Sequence, residues 1–167
     1  MILGLDISTN CTGYCVYDPE TKTIIDKGVF KLEGEMYIRI DMLWEGLKPI
    51  LELHKIESVH IEDFLMKFSI GRSSAFVINK LITFNSIISY LLYKEGLIIK
   101  RYNVLSARKK LFGMARNKAY KNSKELVMDQ IKRVLGQEYI DTLPLNTRGN
   151  IAKEAGDIND AVVMALQ

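Results

Sequence analysis

The chain has 167 residues, 48% of them hydrophobic, with 23 lysines and arginines against 20 aspartates and glutamates. That is about one domain with enough apolar content to bury a core without staples. Cys11 and Cys15 are too few for a disulfide framework and lack neighbouring zinc ligands, so a reduced, cytosolic-type compartment is expected. The N-terminus has neither the charged start nor the apolar core of a signal peptide.

Residues 1–7, 13–18 and 24–30 read as three short strands joined by the turns "STNCT" and "DPETKT", a meander. The first ends in an acid, Asp6. An unpaired buried carboxylate costs several kcal/mol, about 2–7 for an uncompensated polar group, so its placement points to a metal, a phosphate or a catalytic role. Over about 36–54, Met36, Ile40, Leu43, Leu47 and Ile50 recur at helical spacing, with a bend expected near Gly46 and Pro49. "SVHIED" (58–63) reads as a strand that carries Glu62 on the same face as His60.

A helix at about 72–93 places Val77, Leu81, Phe84, Ile88 and Leu91 on one stripe and Ile78, Ile82 and Ile87 beside it. Apolar over more than half its circumference, it should be buried on two sides, while Asn85, Ser86 and Ser89 interrupt it as a membrane span. "LIIKRYNV" (97–104) reads as a fifth strand, followed by helices at 104–112 and 123–135, the latter opened by Asn122-x-x-Glu125. Residues 136–150 read as a loop, and "EAGDINDAVVMALQ" as a helix running to the chain end. There is no internal repeat or linker, so residues 1–167 are expected to form a single domain.

Divided along the chain, the charge is uneven. Residues 94–124 hold ten bases against one acid, Glu95, a surplus of nine positive charges that leaves the remainder six negative. Such a basic block beside an acidic remainder is a footprint of nucleic-acid binding, where Lys and Arg displace phosphate counterions. The alternative is a solvated lysine-rich surface.

The acids then gain weight as a set. Asp157 and Asp160, three apart at the start of the apolar last helix, share one face beside the core. Three or four gathered carboxylates need divalent cations to offset their repulsion, and oxygen-only ligands favour magnesium or manganese. Singly, Asp157 could be a helix cap, Glu62 a surface residue and His60 a packed strand histidine.

The order βββαβαβ with these acids resembles the RNase H-like nuclease fold, and the motifs resemble the RuvC family of Holliday-junction resolvases. "LGLDISTNCTGYCVYD" is similar to the family's first motif, with Asp6 and Thr12-Gly13; "VHIEDFLMKF" to the second, with Glu62; "DINDAVVMAL" to the last, with Asp157 and Asp160. "VLSARKKLFG…NSKELV" resembles the family's basic segment. Ser8 stands where the family often has glycine, and Leu65 where a junction-probing aromatic is expected, flanked by Phe64 and Phe68. This looser pattern is closer to viral, phage or organellar members, which would put the enzyme in a host cytoplasm or an organelle.

The resemblance implies an α/β RNase H-like domain with a five-stranded mixed sheet, three antiparallel strands then two parallel, flanked by helices. It implies hydrolysis with two Mg2+ ions per site, Mn2+ substituting, held about 3.5–4 Å apart by Asp6, Glu62, Asp157 and Asp160. It implies four-way junctions as substrate, cut by paired nicks leaving 5′-phosphate and 3′-hydroxyl ends. Arg108, Lys109, Lys110, Lys118 and Lys124 would bind the DNA backbone, and Phe64, Phe68 or Tyr120 could stack on bases. A homodimer through the helix at 72–93 would match the junction's two-fold symmetry.

Rival readings are another RNase H-like nuclease acting on flaps, branched DNA or structured RNA; a branched-DNA binder without cutting activity; and an actin- or sugar-kinase-like ATP-binding fragment. The last lacks a Gly-Gly pair for a second phosphate loop and is too short for a second domain.

Overall fold

The computed structural model describes residues 1–63 and 75–167. In chain order it contains β1 (Ile2–Asp6), β2 (Cys11–Asp18), β3 (Thr23–Lys31), α1 (Met36–Leu53), β4 (Ser58–Glu62), α2 (Ala75–Lys94), β5 (Ile98–Tyr102), α3 (Val104–Phe112), α4 (Ser123–Asp141) and α5 (Ala155–Ala165). One sheet runs in the order β3-β2-β1-β4-β5. The first three strands pair antiparallel, whereas β1 with β4 and β4 with β5 pair parallel. This is the mixed sheet expected from the sequence.

Strand alternation divides the molecule into two cores. Leu3, Leu5, Val59 and Ile61 point to one face, where α1 contributes Ile40, Leu43, Leu47 and Ile50 and α2 contributes Phe84, Ile88 and Leu92. Cys15 belongs to the other core, beneath α3, α4 and the wholly apolar run Ala161–Ala165 of α5. Strand-end acids of the correct parity therefore emerge beside α5.

Several expectations change in detail. α1 is continuous from Met36 to Leu53 with Pro49 inside it, and Gly46 is also a packing device, since a Cβ there would lie 2.5 Å from the Phe30 ring. Within the single chain α2 buries one stripe and leaves Phe76, Tyr90 and Tyr93 exposed. Its polar interruptions have partners, since Arg101 donates to Asn85 Oδ1 at 3.0 Å and to Ser89 Oγ at 2.9 Å. By length and composition alone α2 could cross a membrane, yet Phe84, Ile88 and Leu92 are fully buried in this core.

The loop expected from residue 136 is also corrected. Gly136 breaks the helical geometry at φ 83°, a left-handed value glycine adopts freely, but helical turns resume to Asp141 and bury Tyr139. α5 stops at Ala165 rather than running to the chain end, the Leu166 amide bonding back to the Val162 carbonyl at 3.0 Å.

Candidate active site

Parallel pairing of β1 with β4 sets Leu5 opposite Ile61, so the next residues, Asp6 and Glu62, emerge side by side. On its other flank Asp6 pairs with Gly13 of β2. α5 crosses this corner at backbone contact: a Cβ at Gly4 would lie 2.2 Å from the Ala161 carbonyl oxygen, and one at Gly13 would lie 2.1 Å from that of Asp157. Only glycine admits so close an approach. Gly13 therefore sets Asp157 over the strand that carries Asp6.

The roll of α5 is fixed by Asn159, which lies between the two aspartates and is 1% exposed. It accepts from the Tyr139 hydroxyl at 2.7 Å and donates to the Met128 sulfur at 3.3 Å. Asp157 and Asp160 are thereby aimed at Asp6 and Glu62. The sequence reading missed Gly4, Tyr139 and Asn159; the D-x-N-D spacing was visible, but not the partner of its asparagine.

The four acids share one electrostatic environment. Burial holds the Asp6 carboxyl well above the usual carboxylate range, and Asp160, Glu62 and Asp157 add to it in that order while Lys124 opposes. Burial likewise lifts Glu62 to about 7, with Asp160 adding and Arg108 opposing. Arg108 Nη2 meets Asp160 Oδ1 at 2.7 Å, both side chains being largely buried, and Lys124 Nζ meets Asp157 Oδ1 at 2.7 Å. Cys11, which its spacing could not connect to the acids, hydrogen-bonds Asp157, and its thiol is pushed up to about 11, chiefly by burial.

Among the described residues no group of three or more Asp, Glu, His or Cys side chains is arranged to hold a metal ion. Two of the four carboxylates are drawn into ion pairs instead. The donor chemistry nevertheless fits a hard divalent cation: every ligand candidate is a carboxylate oxygen, and Asp6 and Glu62 are acids short of positive charge. His60 is a packed histidine, its Nδ1 3.2 Å from the Met164 carbonyl oxygen and its Nε2 3.3 Å from Ser58 Oγ.

The expected DNA-binding residues divide. Arg108 is not on the surface; it is buried against Asp160, a correction with a simple cause, since α3 packs directly on α5. Lys124 is half-exposed and bound to Asp157. Lys109 and Lys118 are exposed, as is Lys110, which donates to the Gln167 carbonyl oxygen. Tyr120 donates its hydroxyl to Asp129. Phe64 and Phe68 lie outside the described residues.

No family model matches the chain. It is 30% identical over 168 residues to a protein named crossover junction endodeoxyribonuclease RuvC from Sulfurovum sp. strain NBC37-1, spanning 99% of this chain and 92% of the relative. It is 28% identical over 170 residues to the protein of the same name from Aliarcobacter butzleri strain RM4018, spanning 99% and 95%. Among solved structures it resembles Thermus thermophilus RuvC in complex with Holliday junction substrate, with a TM-score of 0.69 at 12% identity over 99% of this chain and 89% of that one.

Proposed function

The chain belongs to the RuvC family of crossover junction endodeoxyribonucleases, and from that premise we propose that it is a metal-dependent, structure-selective endonuclease that resolves four-way DNA junctions by paired symmetric nicks. The observation that carries this reading is the meeting of Asp6, Glu62, Asp157 and Asp160 at one corner of the sheet, where Asp6 responds to all three other acids. The whole of residues 1–167 acts as one RNase H-like nuclease domain.

Asp6, Glu62, Asp157 and Asp160 hold two divalent cations per site, magnesium with manganese as substitute. When bound, these cations supply an activated water and offset charge at the leaving oxygen, giving 5′-phosphate and 3′-hydroxyl ends. Asp6, which pairs with Gly13 on one flank and emerges beside Glu62 on the other, would be a central ligand for these cations. Arg108 holds Asp160 in place. Lys109, Lys110 and Lys118 grip the backbone, and the junction's shape supplies selectivity.

The exposed side of α2 forms the homodimer interface, with Phe76, Tyr90 and Tyr93 unburied in the single chain. Two sites related by a two-fold axis then address opposite strands of a junction. The free thiols of Cys11 and Cys15 are in keeping with a reduced compartment.

The test compares four-way junctions, three-way junctions, flaps, linear duplex and RNA–DNA hybrid with magnesium and with manganese. Wild-type protein should cut four-way junctions symmetrically, and Asp6→Asn should abolish cutting while holding junction binding within about tenfold. An active Asp6→Asn protein, or a preference for flaps or hybrid, overturns the reading. Sedimentation with and without junction, and a mixed wild-type/Asp6→Asn dimer that nicks one strand, test the assembly.

A further inference from the structure

Resting on the nuclease reading, we propose that Lys124, with Arg108 beside it, is an internal counter-ion for the acid cluster. These cations occupy Asp157 and Asp160 until divalent cations take their place. Loading the acids then hands the Lys124 ammonium to the DNA backbone and couples cation binding to junction binding.

Three features support this. The two ion pairs both reach from the basic segment to the acid cluster, each at 2.7 Å, so the same cations are claimed by the carboxylates and by any phosphate in the site. The Lys124 stem lies in a track made by Gly156, where a Cβ would come within 2.7 Å of Lys124 Cδ. And the ammonium can leave: the Lys124 side chain is 48% exposed.

The backbone beneath Lys124 is fixed, so the motion belongs to the side chain. Asn122 caps α4 by accepting from the Glu125 amide at 2.9 Å, and Glu125 accepts from the Lys121 amide at 2.8 Å. Arg108 has less freedom, but its Nη2 pair with Asp160 leaves a buried Nε without a hydrogen-bond partner among the described residues. A guanidinium left partly unsatisfied is parked rather than locked.

With its ammonium on Asp157, Lys124 contributes little to phosphate attraction, and the acids repel the backbone. With cations on the acids, both terms reverse. Coupling of this kind is reciprocal, so DNA must tighten cation binding by the factor by which cations tighten DNA binding.

The experiment titrates Mn2+ alone into DNA-free protein by calorimetry, and measures four-way junction affinity by anisotropy in EDTA and in Ca2+. Wild-type protein should bind the junction about five- to tenfold tighter in Ca2+. Lys124→Gln should bind Mn2+ more tightly than wild type because its competitor is gone, and its junction affinity should respond less to Ca2+, since only the relief of acid repulsion remains. Lys124→Arg should restore the response. Unchanged or weaker Mn2+ binding by Lys124→Gln, or an undiminished Ca2+ response, overturns the proposal. Failure of the nuclease reading appears separately, as a wild-type protein that binds Mn2+ and cuts nothing.

Discussion

The two faces of the sheet solve opposite problems. Beneath α1 and α2 the contacts are mostly apolar side chains at zero or near-zero exposure, Leu43, Leu47, Phe84, Ile88 and Leu92 among them, with Asn85 and Ser89 of α2 accepting from Arg101. Beneath α5 the contact is backbone on backbone at Gly4 and Gly13, and its edge carries four acids, of which Asp6 and Glu62 are raised by burial and by their acidic neighbours. Both faces bury a core, and the second also holds charge in a place that water and neutral packing would not choose. Strand parity thus confines the acids to one face, so variants of the two faces should respond differently to pH and to cations.

The largest effect belongs to the apolar face. Phe84 is fully buried between α2 and the sheet, so Phe84→Ala should cost about 3–5 kcal/mol through lost transfer energy and a cavity. Chemical denaturation should return the same loss at pH 6 and pH 8, with or without Mg2+. A loss that depends on Mg2+ would break the separation of the faces.

Next is the backbone contact under Asp157. Gly13→Ala forces a Cβ to within 2.1 Å of a carbonyl oxygen, which α5 can relieve only by lifting from the sheet. The expected cost is about 2–4 kcal/mol. Unlike Phe84→Ala, this variant should lose Mn2+ affinity under conditions where it remains folded, because the displaced element carries Asp157 and Asp160. Calorimetry on folded Gly13→Ala protein checks it; wild-type Mn2+ affinity would place the metal ligands elsewhere.

The same contrast explains what could be read from sequence. Strand parity and helical spacing are local, and they sufficed for the five strands, the buried stripe of α1 and the strand or helix that carries each of Asp6, Glu62, Asp157 and Asp160, while the mixed order of the sheet came from the family resemblance. Gly13 was visible as part of a motif, but its reason was not, since the carbonyl it avoids lies 144 residues away in the chain. The burial of Arg108 was hidden for another reason: a basic run looks solvated throughout, and only the packing of α3 on α5 separates the buried Arg108 from its exposed neighbour Lys109. Gly136 punctuates a helix in a way that resembles its end, and this concealed Tyr139 and its bond to Asn159.

The smallest effect is the most diagnostic, because its sign is opposite to that of ordinary core damage. The Glu62 carboxyl is lifted from 4.5 to about 7, by burial first and Asp160 second. For an acid whose folded value is raised, the stabilising contribution is complete below the unfolded value and is lost as pH rises through the folded one. Cation-free wild-type protein should therefore lose stability between about pH 5 and pH 8, as Glu62 is forced to ionise beside its neighbours. Glu62→Gln removes that ionisation. It should match wild type near pH 5 and exceed it at pH 8 by on the order of 1–3 kcal/mol. Adding Mg2+ should stabilise wild type at pH 8 and close the gap, since the carboxylate then has its counter-charge. Thermal unfolding of both proteins at the two pH values, in EDTA and in Mg2+, reads all four corners. A Glu62→Gln protein less stable than wild type at pH 8 in EDTA would mean that Glu62 is held by favourable contacts rather than against repulsion, and the contrast between the faces would fail at its most exposed point.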